Sequence, residues 1–173
     1  MTGLDKNVES SSPDGRYLVF NQYDHRNPMT LWVLPLDQRD RKPLLVGPGG
    51  SGSIAPNGRW IVYGSESGVT VTRVPGSTVG ARTWRLGEGG DPQWSSDGKE
   101  LFFLRGGDFM SIPVRQMGET VDFGLPRRLF ATRPGTSPRN HYTLSANGDR
   151  FVFDTPMVRS RADVLMLLTN WAK

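Results

Sequence analysis

The amino-acid sequence predicts an all-β fold. The chain has 173 residues, 36% of them hydrophobic, and it contains 21 glycines and 13 prolines. This many turn-forming residues divides the chain into short segments, which is typical of a single globular domain built from strands. The apolar segments are rich in Val, Leu and aromatic residues, as strands are, and none has the periodicity of an amphipathic helix.

Four copies of one turn sequence give the chain its repeat. The copies are "SPDGRYLVF" from Ser12, "APNGRWIVY" from Ala55, "SSDGKELFF" from Ser95 and "SANGDRFVF" from Ser145. Their glycines are 43, 40 and 50 residues apart (58−15, 98−58 and 148−98). A period of about 40 to 50 residues is the length of one blade of a β-propeller, so the sequence predicts about four blades of four antiparallel strands.

Each copy has the residues that a tight hairpin turn needs. An Asp or Asn side chain bonds the nearby backbone, and the glycine after it adopts a positive φ at no steric cost. The proline of the first two copies is dispensable, because Ser96 and Ala146 replace it in the others. The predicted structural turn residues are Asp14, Gly15, Asn57, Gly58, Asp97, Gly98, Asn147 and Gly148.

Short strands follow each turn in the same order. Second strands are predicted at Tyr17–Asn21, Trp60–Gly64, Glu100–Arg105 and Arg150–Asp154. Third strands are predicted at Leu31–Leu36, Val69–Pro75, Phe109–Val114 and Val164–Asn170. Fourth strands are predicted in three copies, at Pro43–Val46, Thr83–Leu86 and Arg127–Phe130. The blades then cover residues 8–46, 51–86, 91–130 and 141–171 of one domain, residues 1–173.

The first and last blades are predicted to be incomplete. Only "NVESS" precedes the first turn to serve as an inner strand, and no outer strand follows Trp171. About fifteen strands are therefore expected, and two closures stay open. In the first closure, residues Gly3 to Val8 pair with the last blade and close a four-bladed ring. In the second, two chains form a homodimer that completes an eight-bladed ring. We favour the homodimer, because a half-ring would expose apolar flanks and unpaired strand edges.

The repeats resemble those of TolB-type β-propellers over nearly the whole chain. The resemblance rests on "SPDGRYLVF" followed by "LWVLPL". Other segments, among them "RRLFATR", "YTLSANGDRFVFDTP" and "LTNWA", are similar to the C-terminal end of propellers attached to bacterial serine/threonine kinase-like proteins. That similarity implies a cytoplasmic kinase and a propeller beyond a membrane segment, while the residues of this chain leave the compartment undecided.

Several short matches to catalytic motifs lack the context that their chemistry needs. "DFG" at Asp122–Gly124 has no catalytic loop shortly before it and no glycine-rich loop with a strand lysine, so kinase activity is not expected. "GPGGSGS" at Gly47–Ser53 has no following helix or phosphate-binding lysine, which favours a loop between blades. The chain has no G-x-S-x-G nucleophile elbow.

Composition argues against other ligand classes. The chain has no cysteine and two histidines, which lie in separate loops, so we expect neither a metal site nor a cofactor. The net charge of +4 comes from scattered arginines without a basic stripe, so we do not expect nucleic-acid binding. No apolar run is long enough to cross a bilayer, so this chain is not expected to insert into a membrane.

Propeller geometry places the polar loops at one end of the blades. We use "loop face" for the end where the second and third strands of a blade connect and where one blade leads to the next, and "turn face" for the end that carries the Asp/Asn-Gly turns. The candidate binding residues on the loop face are Asp24, His25, Arg26, Arg105, Asp108, Arg139 and His141. The predicted function is non-catalytic binding, scaffolding or sensing of a protein partner; the alternative is a glycan lyase or hydrolase using Asp24, Asp91 or Asp108.

Overall fold

The computed structural model describes residues 4–24, 27–37, 42–76, 82–117, 119–132, 141–145, 150–155 and 164–169. Within these ranges every regular element is a β-strand, and the sixteen strands form four antiparallel sheets. The all-β prediction is confirmed. The chain divides into two compact units, residues 1–94 and 95–173, with the boundary inside the third sequence repeat.

Sheet 1 of the first unit is a complete four-stranded meander. Its strands follow one another in space as in sequence: β1 (Asp5–Ser11), β2 (Tyr17–Asp24), β3 (Asn27–Pro35) and β4 (Leu44–Pro48). The prediction that the first blade has an incomplete inner strand was wrong, because β1 pairs with β2 along its length, from Asp5 opposite Tyr23 to Ser11 opposite Leu18. The polar sequence of β1 does not by itself indicate a strand, and backbone pairing with β2 stabilises it.

Sheet 2 has the same order of strands. They are β5 (Gly50–Ile54), β6 (Trp60–Ser65), β7 (Gly68–Arg73) and β8 (Thr83–Arg85). A further strand, β9 (Gly90–Trp94), is not part of sheet 2 and is the last strand of the first unit. The prediction of a loop at "GPGGSGS" was largely wrong. Since β4 ends at Pro48 and β5 begins at Gly50, Gly49 alone connects the two sheets.

Sheets 1 and 2 pack face to face through an apolar core. Val19, Leu31 and Val33 of sheet 1 are fully buried against Ile54, Ile61 and Tyr63 of sheet 2. The sheets approach closely because Gly52 has no side chain: a Cβ there would lie 2.7 Å from Leu31 Cδ2 and 2.9 Å from Val19 Cγ1. Burial of each aliphatic side chain contributes about 1.5 to 3 kcal/mol.

Sheet 3 contributes a strand that the sequence did not predict. Its strands in the second unit are β10 (Glu100–Arg105), β11 (Asp108–Met117), β12 (Thr120–Phe123) and β13 (Arg127–Ala131). The long β11 pairs with β12 through Val114–Met117 and with β13 through Asp108–Ser111. The unpredicted β12 contains Asp122 and Phe123 of the "DFG" triplet, so that motif belongs to a hairpin edge.

Sheet 4 packs on sheet 3 through aromatic rings. Its described strands are β14 (Tyr142–Leu144), β15 (Arg150–Thr155) and β16 (Val164–Thr169), in that order. Phe109 of β11 is fully buried, and its ring centre lies 4.8 Å from those of Tyr142 and Phe151 and 5.0 Å from that of Phe153. These edge-on contacts add to the area that the rings bury.

The predicted turns have the expected hydrogen bonds. Gly15, Gly58 and Gly98 have φ values of 70°, 70° and 69°. The Asp14 carboxylate accepts bonds from Ser12 Oγ at 2.6 Å and the Arg16 N–H at 3.0 Å, and these bonds lower its pKa. The Lys99 N–H and Ser95 Oγ lower the pKa of Asp97 in the same way. Asn147 and Gly148 lie outside the described residues.

Candidate functional site

A cleft opens at the loop face of the first unit. Its volume is about 300 Å³. Three connections meet there: the link between sheets 1 and 2, the link between β6 and β7, and the link that leads into β9. The cleft is lined by Met29, Gly49, Gly50, Ser51, Gly64, Ser65, Glu66, Gly89, Gly90 and Asp91.

Glycines make room for the cleft. A Cβ on Gly49 would lie 2.1 Å from the Gly64 carbonyl oxygen, and one on Gly50 would lie 2.6 Å from Met29 Sδ. Gly49 also has a φ of 137°, and its N–H donates to the Met29 carbonyl at 2.9 Å. Five of the ten described lining residues are glycines, so backbone peptide groups form a large part of the wall.

Ser51 and Asp91 form the polar centre of the cleft. Ser51 Oγ donates a hydrogen bond to Asp91 Oδ1 at 2.9 Å. Both residues are left-handed, with φ values of 53° and 49°, and no other described residue besides glycines has a positive φ. Such a conformation costs on the order of 1 to 3 kcal/mol and is concentrated at functional sites.

A β-bulge sets the direction of Ser51. Gly50 is opposite Gly64 and Ser53 is opposite Val62, so Ser51 and Gly52 together face a single residue of β6. The first repeat has an irregularity at the same place, because Val8 is opposite Phe20 and Ser10 is opposite Val19. Bulges of this kind redirect a side chain and are frequent next to binding sites.

Ser51 and Asp91 occupy one position of the repeat. Each lies seven residues before its turn glycine (58−51 and 98−91), and the fourth repeat has His141 there (148−141). Sequence reasoning chose His141 and the alternative carboxylate Asp91 but missed Ser51. Counting back from the turn glycines would have found all three positions.

The cleft favours ligands that donate hydrogen bonds or carry positive charge. Among the ten described residues that line it, two are acidic, Glu66 and Asp91, and none is basic. Ser65 Oγ, which bonds the Gly68 carbonyl at 3.1 Å, adds another polar group to the rim.

The structure describes some of the predicted loop-face residues, and the others lie outside the described residues. In the second unit, Asp108 accepts a bond from Arg128 Nε at 2.7 Å, and Arg105 is exposed with its Nη2 3.8 Å from Met110 Sδ. His141 is half-buried, and its carbonyl oxygen accepts the Asp154 N–H at 2.9 Å. The predicted positions that lie outside the described residues are His25, Arg26, Arg139 and the side chain of Asp24.

The described ranges contain neither a metal-binding cluster nor a membrane-spanning helix. Among those residues, no three His, Cys, Asp or Glu side chains are grouped so that they could hold a metal ion. No helix in the same ranges is long and apolar enough to span a membrane.

Solved structures of TolB proteins share the fold of this chain. A putative TolB from Agrobacterium tumefaciens matches 97% of the chain with 18% identity and a TM-score of 0.62. TolB from Acinetobacter baumannii matches 96% with 15% identity and a TM-score of 0.59. The chain spans 62% and 44% of the lengths of these two proteins, respectively.

One of the similar structures is that of a protein named as an enzyme. A putative 6-phosphogluconolactonase from Bacteroides uniformis matches 87% of the chain, which spans 48% of that protein, with 17% identity and a TM-score of 0.51. No protein-family model and no curated protein matches the chain. Likeness at such identities concerns fold alone. With the four antiparallel sheets, it shows that the chain has the fold of TolB-like β-propellers.

Proposed function

We propose that this chain is a non-catalytic β-propeller binding domain that takes a protein partner at the loop-face cleft of the first unit. The observation that carries the proposal is the Ser51–Asp91 pair, in which two strained residues from equivalent repeat positions meet in one cleft. The partner group that fits is a protonated amine, a guanidinium or a hydroxyl, because the part of the cleft that the structure describes presents the carboxylates of Glu66 and Asp91 and no basic side chain.

The enzymatic alternative uses the same end of the sheets. A glycan hydrolase needs two carboxyl groups roughly 5 to 10 Å apart on either side of the scissile bond. Asp91 shares the cleft with Ser51 and with the exposed carboxylate of Glu66, whereas Asp108 is paired with Arg128 in the second unit and the Asp24 side chain lies outside the described residues. Binding needs only the groups already assembled around Asp91, which is why we prefer it.

The wider setting of the domain is also a proposal. We place it in a larger bacterial protein with a kinase-like part on the other side of a membrane, where the propeller has a sensing role. We further propose that it self-associates with a second copy. The coding sequence next to this chain tests the kinase-like and membrane parts, because it either contains them or does not.

Binding at the cleft is tested by a matched pair of carboxylate variants. The immobilised chain captures partners from an extract of its own host, and Asp91→Asn is compared with Asp122→Asn, which alters an exposed carboxylate on β12. We expect Asp91→Asn to lose capture of a partner that Asp122→Asn retains. A photo-crosslinking residue at the exposed Glu66 should label that same partner, and one at Asp122 should not.

Two results would overturn the proposal. One is equal capture by both variants together with crosslinking from Asp122 only, which would move the interface away from the cleft. The other is turnover of a glycan by the purified chain that Asp91→Asn abolishes, which would make the chain an enzyme.

A further inference from the structure

Sheet 2 ends in a short strand that is bordered by arginines. This strand, β8, pairs with Thr70–Thr72 of β7 and is the terminal strand of its sheet. Among the described strands, none pairs with its other edge. Arg82, Thr83 and Arg85 are exposed, and Trp84 between them is half-buried. We call these four residues the arginine edge.

The backbone of the arginine edge points hydrogen-bonding groups outward. In an antiparallel pair, the peptide groups of successive residues point alternately toward the partner strand and away from it. The Leu86 N–H donates to the Val69 carbonyl at 2.8 Å, so the peptide groups of Thr83 and Arg85 point away from β7. The Oγ1 atoms of Thr83 and Thr72 are 3.4 Å apart, as expected where opposite residues do not exchange backbone bonds. Two residues therefore direct both their N–H and their C=O to the outer edge.

In sheet 3 the corresponding arginine is neutralised. Strand pairing and the repeat offset of 40 residues (98−58) make Arg128 of β13 equivalent to Arg85. Arg128 Nε donates to Asp108 Oδ1 at 2.7 Å. The same offset places Gly68 where sheet 3 has Asp108. Sheet 2 thus keeps the arginine but lacks the carboxylate that pairs with it.

Aromatic rings replace a second ion pair of sheet 3. Arg127 Nη2 donates to Glu100 Oε1 at 2.5 Å. The equivalent positions of sheet 2 hold Trp84 and Trp60, whose ring centres are 5.1 Å apart in an edge-on contact. The guanidinium carbon of Arg82 lies 5.0 Å from the ring centre of Trp84. The described contact of this arginine is therefore with a ring, which leaves its N–H donors directed at no described carboxylate.

The charge of the edge determines what can pair with it. In the described part of the chain, no carboxylate is in salt-bridge contact with Arg82 or Arg85. The β8 strand of a second copy would bring like charges together, which disfavours pairing. No stretch of this chain outside the described ranges contains two acidic residues. The complementary occupant is therefore an acidic strand from another protein.

We infer that the arginine edge takes up an extended acidic segment of a protein partner as an additional antiparallel strand of sheet 2. Strand residues three apart are separated by about 10 Å, so acidic side chains at the first and fourth positions of the segment meet Arg85 and Arg82. An apolar side chain at the second position packs on Trp84. The segment's backbone bonds to Thr83 and Arg85, as in other cases of strand addition. None of these residues lines the loop-face cleft.

The test uses a synthetic peptide, acetyl-Ser-Thr-Glu-Val-Thr-Glu-Thr-Ser-amide, titrated into the full chain by calorimetry. The variant Arg82→Gln/Arg85→Gln is compared with Arg16→Gln/Arg115→Gln, which removes two other exposed arginines and the same charge. We expect wild type and control to bind alike, and the edge variant to bind roughly ten-fold more weakly or worse. Added salt should weaken binding, and a peptide with glutamine for both glutamates should not bind. Asp91→Asn should bind the peptide like wild type, which separates this site from the cleft.

N-methylated peptides test the backbone pairing. Methyl groups on the nitrogens of the first glutamate and the second threonine, which lie opposite Arg85 and Thr83, should abolish binding. Methyl groups on the valine and the second glutamate should be tolerated, because those N–H groups point away from β8. Circular dichroism confirms that all variants are folded.

Four results would overturn the inference. The first is no binding of the acidic peptide by wild type at about 1 mM. The second is equal binding of the glutamine peptide, and the third is an equal effect of the two methylation patterns. The fourth is an edge variant that loses a different occupant instead, either a single-stranded oligonucleotide or a second copy of the chain detected by sedimentation.

Discussion

At the scale of single residues, Gly49 determines whether the cleft can form. It alone connects β4 to β5, it has a positive φ, and it lies against the Gly64 carbonyl. Any side chain there would push sheet 2 away from the link and strain the backbone at once. Gly90, in the same cleft, has neither constraint, since nothing lies within 4 Å of a Cβ built on it.

These two glycines give a paired stability prediction. Gly49→Ala should lower the free energy of unfolding by at least about 2 kcal/mol, because overpacking and left-handed strain act together. Gly90→Ala should change it by less than about 0.5 kcal/mol. Urea denaturation followed by circular dichroism measures both values, and similar values for the two variants would contradict this explanation of the cleft.

The turn carboxylates predict a dependence of stability on pH. Hydrogen bonds from Ser12 and Arg16 lower the pKa of Asp14, and those from Lys99 and Ser95 lower that of Asp97. Because the folded pKa is below the unfolded value of about 3.9, both groups stabilise the fold above that pH. Their contribution is lost as the pH falls through the unfolded and then the folded pKa.

The variant Asp14→Asn/Asp97→Asn removes both titrating groups and keeps the turn, as Asn57 does in the second copy. We expect a flatter loss of stability below about pH 4, and an effect at neutral pH below about 1 kcal/mol per site because the turns are exposed. Thermal unfolding measured from pH 7 to pH 3 gives the comparison. Parallel curves for wild type and variant would refute the assignment.

At the scale of elements, the aromatic contact between β11 and sheet 4 dominates the second unit. Phe109 lies at its centre, since its ring contacts Tyr142, Phe151 and Phe153 of that sheet. Phe109→Ala should cost about 3 to 5 kcal/mol of unfolding free energy, by lost burial and a cavity. The control Phe123→Ala, at a half-buried position on β12, should cost clearly less. Equal losses in urea denaturation would show that the ring cluster is not the core of this unit.

Elements differed in how well the sequence predicted them, and the reason is physical. The turns and the strands after them were predictable because Asp/Asn-Gly chemistry and apolar runs act locally. The inner strands β1 and β5 were not, since "DKNVESS" and "GSGSI" are polar or small and depend on pairing with a neighbour. β12 was missed for the same reason, because "TVDF" follows a polar segment with a glycine.

The sequence predicted the general location of the candidate site better than its detailed structure. The sequence assigned binding to the loop face and named Asp91 and His141, but it read Gly47–Ser53 as a plain loop. The cleft there depends on a bulge and on two left-handed residues, and such backbone features follow from sheet packing rather than from local propensity.

At the scale of the whole molecule, two compact units share one repeat, and the first contains the cleft. The central claim is that the chain binds its partner at the loop face through the residues around Ser51 and Asp91. The loop face and the turn face lie at opposite ends of a propeller sheet. Slower amide exchange at one face can therefore be distinguished from slower amide exchange at the other.

Hydrogen–deuterium exchange with and without the captured partner tests that claim most directly. We predict slower amide exchange on binding in residues 49–51, 64–66 and 89–91, and unchanged exchange in the turns at residues 12–16, 55–59 and 95–99. Slower exchange in the turns, with the cleft segments unchanged, would contradict the account.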